Sequence, residues 1–176
     1  MILWKYFATT VANPKYGWEK LSGLSIAATM AQARLFYPLL AVLAVSAFAG
    51  LFYGTLSLSG VIQTAIIQFS SYFFSYLAAM FCLSGYFRDN DGQNRLGVLL
   101  AIAFSFLALV KIAANLTSGF ELVLIANFYV VVLVVTGLGY LGVEERKKSF
   151  AVAASAICLV LPFAIEMLLK ALLPSV

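Results

Sequence analysis

The chain has 176 residues, of which 64% are hydrophobic and 10% charged, with a formal net charge of +4 and a mean hydropathy of +1.02. A soluble domain carries about 25% charged and about 45–50% apolar residues, so this chain has more apolar surface than a small globule can hide, and lipid must replace water around much of it. The basic excess lies in short connecting segments rather than in a patch that would neutralise a nucleic acid, and with no histidine and only Cys82 and Cys158, both inside apolar runs, zinc and haem chemistry are set aside.

The first thirty-four residues differ from the rest. Leu3, Phe7 and Val11 recur every four positions, with Ile2, Trp4 and Tyr6 beside them, which predicts a short helix lying in the headgroup region. Lys5 and Asn13-Pro14 argue against a cleaved secretory signal. Asn13-Pro14 is expected to stop the helix and Gly17 to permit a turn. Trp4, Pro14 and Trp18 are read as interfacial anchors. Leu21 to Ala33, rich in Ala and Ser, is expected to form a second surface helix. Residues 1–34 thus form a cytoplasmic, interfacial amphipathic segment and residues 35–176 a transmembrane domain.

Five apolar stretches follow, at about 35–54, 60–87, 96–115, 121–143 and 150–173. Each is long enough to span about 30 Å of hydrocarbon as a helix. A barrel would need an even number of alternating ten-residue strands, and backbone polar groups in lipid must otherwise be satisfied within a helix. The expected fold is therefore an all-α membrane protein, a bundle of five transmembrane helices preceded by the interfacial segment. Lys5, Lys15, Lys20 and Arg34 precede the first span, Arg88 and Arg95 separate the second from the third, and Arg146, Lys147 and Lys148 separate the fourth from the fifth. Segments 55–59 and 116–120 and the tip 174–176 carry no Lys or Arg. This alternation predicts the N-terminus inside and the C-terminus outside.

A charge inside hydrocarbon costs about 2.5–3.5 kcal/mol on insertion scales, so each one within a span calls for a partner. Ala101, Ser105, Ala108, Lys111 and Asn115 share one face of the third span; Ser155, Cys158, Pro162 and Glu166 share one face of the last. Lys111 and Glu166 are expected to meet at similar depth, with Glu121 and Lys170 as outer neighbours. The competing expectation is that both lysines snorkel to headgroups and that Glu166 pairs with Lys170 one turn away. Gln68, Ser71, Ser75, Ala79 and Cys82 read as a packing seam. Gly50-x-x-x-Gly54 reads as a close-packing motif between helices. Gly137-x-Gly139-x-x-Gly142 matches a dinucleotide fingerprint by letter only, because no βαβ unit surrounds it. Asp89-Asn90-Asp91-Gly92 lacks the closing Glu of a calcium loop.

Asn13-Pro14-Lys15-x-Gly17-Trp18-Glu19-x-Leu21, followed by Arg34-Leu35-Phe36-Tyr37-Pro38 at the first span, resembles the start of the Yip family, the Ypt-interacting proteins and their bacterial relatives. Gly139-Tyr140-Leu141-Gly142-Val143, a charged turn and a last span holding Pro162 fit the close of that pattern. The family-motif positions are then Asn13, Pro14, Gly17, Trp18, Pro38 and Pro162. The short N-terminal region is similar to bacterial members, for which the resemblance implies a five-span fold in the inner membrane more than an activity.

No His, paired Asp or activated Ser is arranged for intramembrane catalysis, so a non-enzymatic protein without a cofactor is expected. Its partners would be membrane lipids, with other membrane proteins or a second copy of itself, and its role membrane organisation or trafficking. The alternative is a small transporter, channel or lipid-translocating protein with a polar site in the outer half of the bundle.

Overall fold

The computed structural model describes residues 2–87, 89–117, 125–142 and 148–173. Every regular element among them is helical. Helix α1 spans Ile2–Ala12 and α2 spans Pro14–Ser22. Asn13 divides them: its side-chain oxygen accepts from the Tyr16 N–H at 3.3 Å, and Pro14 takes the first helical position, where no N–H is needed. Gly17 does not make the expected turn. It lies inside α2, where a Cβ would stand 2.3 Å from the Thr10 Cα, so its bareness lets α1 and α2 touch.

The expected surface helix over Leu21–Ala33 is replaced by a short link and the start of the first span. Asn94 explains the boundary: its amide nitrogen donates to the Ile26 carbonyl at 2.9 Å, and its oxygen accepts the Ala28 N–H at 2.7 Å. That satisfies an orphan donor at the start of α3, Ala28–Phe52. Pro38 then offers no N–H to the Arg34 carbonyl, and the Tyr37 N–H reaches back to Gln32, giving one wide π turn over Gln32–Phe36. Gly54, at φ +65°, ends the run, and the Thr55 N–H closes onto the Gly50 carbonyl at 2.9 Å. Gly50 and Gly54 therefore shape the turn after α3, where a Cβ on Gly50 would stand 2.8 Å from the Leu56 side chain.

Helix α4, Leu58–Ser84, is capped by Ser57, and α5, Asn90–Leu116, by Asp89, whose carboxylate accepts the Gly92 N–H at 2.8 Å. Helix α6 spans Ala126–Thr136 and α7 Lys148–Leu172. Four helices, Ala28–Phe52, Leu58–Ser84, Asn90–Leu116 and Ser149–Leu172, are long and apolar enough to cross a membrane, and the chain is an all-α membrane protein. Helix α5 is the axis: 83% of its apolar window is buried against 28% for α7. It is apolar all round, so it sits where every face meets protein, while α3, α4 and α7 turn one side outward.

Of the expected span over 121–143, the described part is helical from its first residue, Ile125, through Thr136. Turns at 137–142 follow, with Gly142 at φ +65°. Residues 121–124 and 143 lie outside the described residues. The segment nevertheless runs along the bundle. Asn127 stands beside Lys111 near one end of α5, and the Tyr140 carbonyl accepts from the Arg95 guanidinium at 3.3 Å near the other. Helix α7 returns antiparallel to α4: Phe150 packs edge-on against Phe87, and Gln63 donates to the Leu173 carbonyl at the opposite end.

Candidate functional site

Near the Leu116 end of α5, three charges meet. The Lys111 ammonium lies 3.3 Å from Glu166 Oε2 and 3.4 Å from Oε1, and the Lys170 ammonium 2.7 Å from Oε1. The two expectations for this region hold together: one carboxylate takes the lysine of the neighbouring helix and the lysine one turn ahead on its own. The Glu166 side chain is only 11% exposed, which suits a carboxylate whose oxygens both have charged donors. Glu121, the fourth expected member, lies outside the described residues. Ala101, Ser105 and Ala108 on α5, and Ser155, Cys158 and Pro162 on α7, are buried with their partners, as their shared faces predicted.

These charges stand in a cavity of about 570 Å³ between α4, α5, α6 and α7. Tyr72 and Leu107 form its inner wall. Its rim is apolar and outward: Phe128, Val160 and Phe163 are each more than half exposed. A cavity with that rim opens sideways, toward where acyl chains lie, and not along the bundle axis. Asn127 lines it, and its buried Oδ1 has no hydrogen-bond partner among the described residues.

A second polar cluster lies one turn further along α5. The Asn115 amide donates to Gln68 Oε1 and to Ser46 Oγ, both at 2.8 Å, tying α5 to α4 and α3. Ser71 and Ser75 satisfy themselves on carbonyls of their own helix. This is a seam, as expected, but Cys82 is not part of it: it is exposed, while Cys158 is buried. Sequence reasoning missed Ser46; its signal was a lone hydroxyl in an otherwise apolar span.

The N-terminal pair α1–α2 is docked on the protein. Trp18 is 3% exposed, its indole N–H donates to the Leu133 carbonyl at 3.0 Å, and its ring lies 5.2 Å from that of Tyr140. It is a buried clamp and not the interfacial anchor expected. Gly137 makes room, since a Cβ there would stand 3.1 Å from the indole and 2.6 Å from Leu99. Leu3 and Phe7 likewise pack on protein instead of lipid. The Tyr129 hydroxyl donates to the Val11 carbonyl at 2.9 Å, at the end of α1. Trp4 remains exposed, as an anchor should, and Pro14 is half-buried at the head of α2. Lys5, Lys15, Lys20 and Arg34 are all exposed around this platform. Of the family-motif positions, Asn13, Pro14, Gly17 and Trp18 build the platform, Pro38 shapes α3 and Pro162 lines the cleft.

Fold and site define the class: an all-α membrane protein with a charged cleft opening between its helices. No protein-family model, no curated protein and no solved structure matches the chain.

Proposed function

We propose that this is a non-enzymatic, five-span membrane protein of the Yip type, N-terminus in the cytoplasm and C-terminus outside, that works by holding lipids. The observation that carries the reading is the sideways-opening cleft with Lys111 and Glu166 at its floor, Lys170 toward its mouth, and Phe128, Val160 and Phe163 at its rim. A polar floor under an apolar mouth fits an amphiphile entering from the bilayer. The alternation of basic segments supports the orientation, and the course of residues 126–142 along α5 supports a fifth crossing. Exposed Lys5, Lys15, Lys20 and Arg34 add attraction for an anionic cytoplasmic leaflet, about 1 kcal/mol per charge. Solute conduction is less favoured, because α5 presents only buried apolar groups from Leu96 to Phe104 and the cleft has no polar continuation along it.

Two measurements test this. Purified in mild detergent, the protein should retain phospholipid through gel filtration, and Val160→Trp, which fills the cleft mouth, should lower that amount. A cysteine-free variant carrying Thr55→Cys should react with an impermeant maleimide from outside, and one carrying Asn90→Cys should not. Labelling at both or neither position in intact cells would overturn the orientation.

A further inference from the structure

We infer that the cleft selects a glycerophospholipid of net negative charge with a hydroxyl-bearing headgroup, its phosphate received by Lys111 and Lys170; this rests on the lipid-holding reading above. Among the described residues, the cleft carries two ammonium groups and one carboxylate. Each ammonium has three N–H donors. Lys111 directs donors to the two oxygens of Glu166 and Lys170 donates to one of them, so donors on both lysines remain for another anion. A phosphodiester of charge −1 balances the three charges. A zwitterionic headgroup brings the same phosphate but adds an ammonium beside two lysines, and like charges repel at low dielectric.

Depth agrees with a headgroup. The polar start of α5, Asn90–Arg95, stays outside the hydrocarbon, and the apolar stretch 96–115 is about 30 Å long, enough to cross it. Lys111 lies four residues from the end of that stretch, and Glu166 seven from the end of the stretch 150–173. Their backbones are then about 6–8 Å inside the hydrocarbon boundary, from which long lysine side chains reach toward the phosphate and glycerol layer. Asn127 supplies a separate indication. Asn127 lines the cleft, and its Oδ1 has no hydrogen-bond partner among the described residues; a headgroup hydroxyl would provide the donor once the side chain turns toward it. Val160 and Phe163 leave an apolar path on which an acyl chain can lie.

The test is native mass spectrometry of delipidated protein given equal amounts of phosphatidylglycerol, phosphatidylethanolamine and phosphatidylcholine with identical chains. The expected result is about fivefold or greater retention of phosphatidylglycerol over the other two. Lys111→Met and Lys170→Met should each bring the three lipids toward parity, while Lys170→Arg keeps the preference. Circular dichroism and gel filtration confirm that each variant is folded; if Lys111→Met does not fold, Lys170→Met alone decides. Equal retention of all three lipids overturns the headgroup inference and leaves the lipid-holding reading intact. Retention of none overturns both. Displacement of the bound lipid by glycerol phosphate alone would show a site for a water-soluble anion and overturn the inference as well.

Discussion

The indole N–H of Trp18 ends on the backbone carbonyl of Leu133, 3.0 Å away and 115 residues along the chain. That carbonyl already receives the Gly137 N–H and the Thr136 hydroxyl of its own segment, and the indole adds a donor from outside it. The bond and the ring's burial tie the platform α1–α2 to α6. Trp18→Phe keeps most of the packing and should cost about 1 kcal/mol for the lost bond. Trp18→Ala should cost about 3–5 kcal/mol. Thermal unfolding in detergent reads the difference, and tryptic cleavage at Lys20 should accelerate with Trp18→Ala well before the bundle melts.

Gly17→Ala is expected to destabilise although it adds only a methyl group. The new methyl would meet the Thr10 backbone at 2.3 Å, and backbone cannot swing aside as a side chain can. Overpacking of this kind costs about 1–3 kcal/mol. Thr10→Ala in the same chain should not rescue it, because the Thr10 Cα remains. A rescue in thermal-shift measurements would show that α1 and α2 are separable.

Asn94→Ala removes both hydrogen bonds that set the first turn of α3. The Ala28 N–H and the Ile26 carbonyl lose their partner together, at about 1–3 kcal/mol if they stay buried. Hydrogen exchange at Ala28 should speed up markedly, while that at Leu40 and Leu43, buried further along α3, stays as in the parent chain.

Glu166 is the member of the charged trio that both lysines need. Glu166→Gln leaves two ammoniums without a carboxylate among the described residues, whereas Lys111→Met leaves Glu166 still bonded to Lys170. Glu166→Gln should therefore destabilise more than Lys111→Met. A double-mutant cycle on the two should show a coupling of about 0.5–3 kcal/mol. Strict additivity in reversible unfolding would mean that the ion pair contributes nothing to the fold.

The charged cleft was partly legible in the sequence. Lys111 and Glu166 stood out because a charge in a span must find a partner, and their places toward the outer ends of their spans put them at a similar depth. Nothing in a local pattern says that Asn127 lines the same cavity. Trp18 was misplaced for a related reason. An aromatic ring near a membrane border has the same sequence signature whether lipid or protein covers it, and the cover here comes from Tyr140 and Leu133, far along the chain.

Hydropathy by itself determined that this chain is a helical membrane protein, because burying backbone in lipid admits few alternatives. Tertiary packing alone decided that α5 is the axis and that the N-terminal helices rest on protein. It also decided that Ala28 starts a span and that the charges at Lys111, Glu166 and Lys170 line a cleft open to the side. Those outcomes depend on contacts between residues distant in sequence, such as Asn94 with Ala28 and Gly137 with Trp18, which no local periodicity encodes.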